Sequence, residues 1–375
     1  MKIPRQYQDL GKKLVPGKVL LIYGPRQVGK TTLLKDFLAG TRLKYKLDSG
    51  DNIRTQQILG SQDFAILKEY AEGYGLLAID EAQKIKGIGQ GLKILVDQVP
   101  GIRIIATGSS SFELAGQVGE PLTGRKLTLN LYPVSLLELS KMHTVLELKE
   151  KLHEWLVYGG YPEVMTTKNK HDKARLLEEI FQSYLLKDIL ELEKVKSSKI
   201  LLDMLRLLAF QIGKEVSLSE IAQQVGVDYK TVARYLDLFE KSFVIFNLRG
   251  FSRNLRKEIT SKSKYFFYDN GVRNAIISNF NALELRNDVG MLWENFIFME
   301  RLKKRSYKNI FANCYFWRTW DQKEIDLVEE RQGKLYGYEI KWSQSKLKAP
   351  REWTDAYKDA RFEVITKDNF LSFVG

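Results

Sequence analysis

The chain is poor in the residues that build redox and transition-metal sites. One cysteine, Cys314, among 375 residues excludes internal disulfides and a thiolate zinc cluster, and three scattered histidines, His143, His153 and His171, give no basis for a His-built metal site. No apolar run reaches the roughly 20 residues that a membrane span requires. The opening Met1-Lys2-Ile3-Pro4-Arg5-Gln6-Tyr7-Gln8 is too polar for a signal peptide, so the expectation is a cytoplasmic chain with no membrane partner. Acids are also scarce: 46 Asp and Glu against 59 Lys and Arg leave a net charge of +13. That excess points to an anionic partner, nucleic acid first, with general solubility charge as the plainer reading. The remaining balance, 44% hydrophobic and 28% charged, is that of a globular chain long enough for two or three domains.

The most specific signal is Gly24-Pro25-Arg26-Gln27-Val28-Gly29-Lys30-Thr31, a complete GxxxxGKT phosphate loop continued by Thr32. An apolar strand, Lys18–Tyr23, precedes it and a helical pattern, Thr32–Leu38, follows. The glycines let successive backbone N–H groups curl around a polyphosphate, and the helix N-terminus adds partial positive charge. Lys30 would reach the β- and γ-phosphates of ATP, and the Thr31 hydroxyl would hold Mg²⁺.

Some fifty residues on, Leu76-Leu77-Ala78-Ile79-Asp80-Glu81 reads as a buried parallel strand ending in two acids, at the carboxyl edge where open α/β sheets bind ligands. Asp80 would join the Mg²⁺ shell, and Glu81 would orient the attacking water. A third strand, Ile102–Ala106, runs into Thr107-Gly108-Ser109. There, either Thr107 or Ser109 senses the nucleotide, or these residues cap a helix. Arg125, in Leu122-Thr123-Gly124-Arg125, has two readings: an arginine finger acting in cis or from a neighbouring subunit, or an ordinary surface charge.

The expected divisions are an ATPase core over 1–135, a helical lid over 136–200, a winged helix-turn-helix over 201–275 and a C-terminal domain over 276–375. Residues 217–236 have helix-turn-helix grammar: Ser217 or Ser219 caps the first helix, Gly226 makes the turn and Asp228 caps the second. This leaves Tyr229, Lys230, Thr231 and Arg234 outward, where a DNA-reading helix presents its side chains. The following basic stretch, with Arg249 and Arg253, suits a cationic wing, although such folds also serve as protein-interaction modules.

In the last hundred residues, Glu324-Ile325-Asp326 and Tyr338-Glu339-Ile340-Lys341 lie on two strands joined by a turn at Gly333. Strand alternation puts Glu339 and Lys341 on one face. With Asp326 opposite, two carboxylates could share Mg²⁺ beside Lys341, and Glu294 could add a third acid from a neighbouring helix. Metal-assisted phosphodiester hydrolysis uses such a set, though any charged hairpin can produce the bare pattern.

Taken together, the phosphate loop, Ile79-Asp80-Glu81-Ala82-Gln83, Thr107-Gly108-Ser109-Ser110, Leu122–Arg125, Tyr158-Gly159-Gly160-Tyr161-Pro162, Lys264–Gly271 and the Asp326, Glu339 and Lys341 set resemble a prokaryotic family of AAA-type ATPases. The resemblance spans nearly the whole chain. It implies an α/β fold: a P-loop NTPase core with a parallel sheet, then a helical lid, a winged helix and a restriction-endonuclease-like α/β domain. It also implies that Lys30 and Thr31 bind nucleotide and Mg²⁺, that Asp80 and Glu81 serve hydrolysis, and that Glu294, Asp326, Glu339 and Lys341 occupy nuclease-like positions. Two functions follow. One is an ATP- and Mg²⁺-dependent, DNA-associated ATPase, with homo-oligomerisation an open expectation. The other is a slow nucleotide switch whose C-terminal domains bind a protein partner without cleaving DNA. A kinase fits less well, because an acidic pair after a buried strand suits water activation.

Overall fold

Continuous apolar runs along the central strands, whose side chains point alternately to the two faces, explain why both faces of the leading sheet are covered. In the computed structural model, which describes the chain except for residues 1–2, 8, 109–120, 186–189, 191–197, 252–261 and 344–346, β1 spans Val19–Tyr23 and is buried throughout. Val19, Leu21 and Tyr23 face one apolar cluster, shared with the helices Ile53–Gly60, Phe64–Ala71 and Ile88–Gln98. Leu20 and Ile22 face another, shared with the helix Lys30–Gly40. With β2 (Tyr45–Ser49), β3 (Leu76–Asp80), β4 (Arg103–Gly108) and β5 (Lys126–Asn130), β1 forms a parallel five-stranded sheet of order β2-β3-β4-β1-β5. Strand β4 therefore lies between the strand that feeds the phosphate loop and the strand that ends in Asp80. Parallel pairing brings all their carboxyl ends to one edge, as expected for a ligand site.

Short helices follow, including Leu152–Tyr158 and Lys170–Glu179. Next come the helices Leu218–Val225 and Tyr229–Lys241. Ser217 caps the first by accepting from Glu220 N–H, Gly226 turns the chain with φ +69°, and Asp228 caps the second by accepting from Thr231 N–H at 2.9 Å. Ile221, Ala222, Val232 and Leu236 are buried, whereas Tyr229, Lys230 and Arg234 are exposed and Thr231 is half-buried.

The boundary expected at 275–276 does not separate two sheets. Strands β6 (Glu215–Val216), β7 (Ile245–Gly250) and β8 (Ser263–Phe267) continue into β9 (Asn313–Arg318), β10 (Glu324–Arg331), β11 (Lys334–Ile340) and β12 (Arg361–Ile365). The order of this seven-stranded sheet is β12-β11-β10-β9-β7-β8-β6. The junction is a short parallel pairing, Arg249 with Tyr315 and Gly250 with Phe316. The long helix Val289–Lys308 packs across it, and Asn295 completes the end of β8 by accepting from Phe267 N–H at 2.7 Å and donating to Phe267 O at 2.9 Å. Among the described residues, no helix is long and apolar enough to cross a membrane.

Candidate functional site

The phosphate loop is held from beneath by contacts that only its own backbone geometry permits. Gly24 sits at φ +154°, and a Cβ there would run into the Leu131 carbonyl oxygen. Gly29, at φ +93°, opens the helix Lys30–Gly40, whose N–H groups point to the loop. Arg5 pins the loop from behind: it donates to the Val28 carbonyl, to Tyr132 O at 2.5 Å and to Glu138 at 3.0 Å. Sequence gave no sign of this arginine, because each of its partners is distant along the chain except through the fold. Lys30 is buried, its amine donating to Gly24 O and Pro25 O at 2.8 Å each.

The acidic pair meets the loop as its spacing implied. Thr31 Oγ1 donates to Asp80 Oδ2 at 2.7 Å. Glu81 adopts φ +51°, a left-handed conformation uncommon for a side-chain-bearing residue, and Gln83 Nε2 donates to its Oε2 at 2.6 Å. Arg26, Gln27, Gly29, Lys30, Thr31, Thr32, Asp80 and Glu81 line one open cleft of ≈ 600 Å³, joined by Asp51, Lys84, Pro162 and Glu163. Pro162 ends the Tyr158–Pro162 motif and Glu163 follows it, so the helical segment after the first sheet borders this cleft.

Two expected ligand contacts are corrected. Thr107 is fully buried and does not line the cleft; its hydroxyl donates to Asp80 and accepts from Glu81 N–H at 3.1 Å, so it ties the two acids together. Arg125 lies at the foot of the sheet, its carbonyl accepting from Val19 N–H at 2.8 Å and its guanidinium paired with Asp97 at 2.5 Å. A five-residue strand separates it from the phosphate loop by about 15 Å, which removes the in-cis finger. Ser109 and Arg253 lie outside the described residues.

A second cleft of ≈ 620 Å³ gathers the C-terminal set. Leu327 pairs with Tyr338 in antiparallel register, so Asp326 stands opposite Glu339, and Asp326 Oδ2 accepts from Ile340 N–H at 2.8 Å. Lys341 Nζ is 2.7 Å from Glu339 and 3.5 Å from Asp326. Burial alone would lower the Lys341 pKa, but these carboxylates outweigh it and raise it. Glu294 joins from the long helix. Its Oε1 is buried without a hydrogen-bond partner and has Lys264 Nζ at 3.8 Å. Burial, then the charge of Asp326, pushes the Glu294 carboxyl up to about 8. Burial, again with Asp326, also raises Glu339.

Lys264 and Glu324 also belong to this site, where buried Lys264 and half-buried Glu324 form an ion pair in its wall. Gly213, Lys214, Glu215 and Lys262 complete the lining, so residues near the helix-turn-helix and residues of the C-terminal strands share one cavity. Among the described residues, no three Asp, Glu, His or Cys side chains converge as a ready metal cage. Tyr229, Lys230, Arg234 and Arg249 are exposed elsewhere, and none lines either cleft.

Comparison with known families finds an AAA domain over residues 16–140. Two domains of unknown function match residues 149–283 and 289–372. The first of these runs across residue 200, where a boundary between lid and winged helix is expected. An uncharacterized protein of Mycobacterium tuberculosis is 31% identical over 337 residues, covering 88% of this chain and 72% of its own. Uncharacterized proteins of Haemophilus influenzae and Methanocaldococcus jannaschii are 28% and 25% identical, covering 84% and 96% of this chain and 80% and 87% of theirs. Among solved structures, a Thermotoga maritima RuvB mutant overlaps 61% of this chain and 82% of its own at 17% identity, with a TM-score of 0.32, too slight a likeness to bear on function.

Proposed function

The chain belongs to the protein family that includes the Mycobacterium tuberculosis relative, and from that membership and its AAA domain we propose that it is an ATP- and Mg²⁺-dependent ATPase that works on nucleic acid. The observation that carries the ATPase reading is the joining of loop and acids: Thr31 bonded to Asp80, and Asp80 bonded through Thr107 to the Glu81 backbone. Thr31 and Asp80 present hard oxygen donors side by side, which fits Mg²⁺, and they would hold it there. When bound, the ion neutralises charge on the terminal phosphates. Loop N–H groups and Lys30 bind and orient the polyphosphate. Glu81, fixed by its backbone and by Gln83, accepts a hydrogen bond from the attacking water and sets its line of approach. The test is nucleotide binding: Lys30→Ala should lose ATP affinity by at least tenfold in calorimetry, and an unchanged affinity would contradict the site.

For the second cleft, we propose a nuclease-like site in which Asp326 and Glu339 would hold Mg²⁺ and Lys341 would stabilise charge on a phosphodiester. The orphaned Glu294 oxygen supports a missing polar partner there. Two carboxylates suffice for Mg²⁺, which commonly binds through one or two of them plus substrate phosphates. Tyr229, Lys230, Thr231, Arg234 and Arg249 are proposed as a winged-helix DNA face, supported by the exposure of all but the half-buried Thr231 and by the +13 charge. A second reading, a nucleotide switch that binds a protein partner without cleavage, is favoured by one observation: Lys341 already bridges Asp326 and Glu339. A salt titration separates the two, because phosphate contacts lose affinity steeply with salt.

A further inference from the structure

Trp320 is fully exposed, at 102%, on the turn between β9 and β10. That turn is well bonded: Thr319 N–H donates to Lys323 O at 2.9 Å, Gln322 N–H to Thr319 O at 3.0 Å, and Lys323 N–H to Thr319 Oγ1 at 3.1 Å. A lone exposed aromatic needs no explanation in general, so its position decides. Arg318 and Glu324, the register pair that closes this turn, both line the second cleft. Trp320 is two residues beyond Arg318, which keeps the two Cα atoms within about 7 Å. The turn that bears Trp320 therefore borders the cleft, with its indole open to solvent.

The same border is cationic. Lys214 is exposed, Lys262 and Arg318 share Glu215 at 3.3 and 3.0 Å, and Arg318 also lies 3.9 Å from Glu324, which pairs with Lys264; these four cations outnumber the two carboxylates between them. Trp320 is followed by exposed polar residues, Asp321, Gln322 and Lys323, rather than by the apolar neighbours that surround a protein-binding hot spot. We propose that Trp320 is a stacking platform for an unpaired base of a nucleic-acid strand, with the strand's phosphates running along Lys214, Lys262 and Arg318 into the cleft. This rests on the reading of that cleft as a nucleic-acid site and adds the class of strand it takes. A flat ring beside a cationic track supplies the two parts of single-strand binding, whereas a duplex keeps its base faces inside its own stack.

The experiment uses the full chain in EDTA, so that no cleavage intervenes, with a fluorescein-labelled oligothymidylate and a blunt hairpin duplex of equal length. Wild type should bind the single strand more tightly than the duplex. Trp320→Ala should weaken single-strand binding about tenfold without changing duplex binding or the salt slope, and Trp320→Phe should recover most of the loss. Lys262→Ala should instead lower the salt slope by about one phosphate contact. Thermal unfolding of the Trp320 variants should match wild type, since the side chain packs against nothing. Equal single-strand affinity for wild type and Trp320→Ala overturns the platform while leaving the cleft as a nucleic-acid site. Failure of wild type to bind either probe overturns both. Self-association lost in Trp320→Ala, with oligonucleotide affinity unchanged, assigns the indole to a second copy and overturns the proposal.

Discussion

Thr107 shows how a single hydroxyl organises the nucleotide cleft. One buried oxygen serves two partners, Asp80 and the Glu81 N–H, on the neighbouring strand. Thr107→Val keeps the shape but removes the hydroxyl from Asp80 Oδ1 and from the Glu81 N–H, while Thr31 still bonds Asp80 Oδ2, which should cost about 1–3 kcal/mol in thermal or denaturant unfolding. Turnover should fall while KM for ATP changes little, because binding rests on Lys30 and the loop. A second residue sets a pH dependence. Glu240, at the end of the helix Tyr229–Lys241, is pushed up to about 7 from the ordinary carboxyl value of 4.5, by burial first and by Asp237 in addition. Between those two values the folded chain keeps a proton that the unfolded chain has released. Stability should therefore fall as pH rises through that window and level off above it. Glu240→Gln should flatten the fall, read by thermal unfolding at pH 5 and pH 8. At this scale, Lys30, Thr31, Asp80 and Glu81 were legible because their chemistry is local to one loop and one strand end. Arg5 and the bridging role of Thr107 were not, since each depends on which strands become neighbours.

Elements were legible where period and capping agree. The apolar run before Gly24 is a strand, Ser217 and Asp228 cap their helices, and Asp326 faces Glu339 across β10 and β11. What local pattern could not reveal is the pairing of β7 with β9, since only two residue pairs make it and they are about 66 residues apart in the chain. That pairing turns two expected domains into one sheet. It also brings Lys264 of β8 to Glu324 of β10, so the wall of the second cleft crosses the expected boundary. Ending the chain at residue 275 should then weaken the second sheet: β7 would keep β8 but lose β9, and the buried faces of Trp293, Phe296 and Ile297 would be missing from the core. The truncated chain should unfold at a lower temperature than the full chain, and a transition unchanged at the wild-type temperature would contradict the shared sheet.

Across the whole molecule, the long helix Val289–Lys308 connects the C-terminal unit to the exit of the ATPase core. Glu300 accepts from Leu136 N–H at 2.6 Å and pairs with Lys303 at 2.7 Å, while the Tyr307 hydroxyl lies 3.2 Å from Tyr132 N. Asp269, which caps the helix Asn270–Ile276, accepts from Gly160 N–H at 2.7 Å, two residues before the Pro162 that borders the nucleotide cleft. The two clefts are thus joined through buried polar contacts on the lid. Buried charges such as these hold geometry only while both partners are present, and breaking one pair typically costs about 3–5 kcal/mol. The central claim is that ATP is hydrolysed at Glu81 while nucleic acid is handled at Asp326. The most direct test measures ATP turnover in Mg²⁺ with and without single-stranded and duplex DNA, following DNA integrity in the same tube, for wild type, Glu81→Gln and Asp326→Ala. The account predicts DNA-stimulated turnover that Glu81→Gln reduces by about a hundredfold or more, and cleavage that Asp326→Ala abolishes while its ATPase persists. Tight ATP binding with no response to DNA, and DNA left intact by wild type, would contradict it.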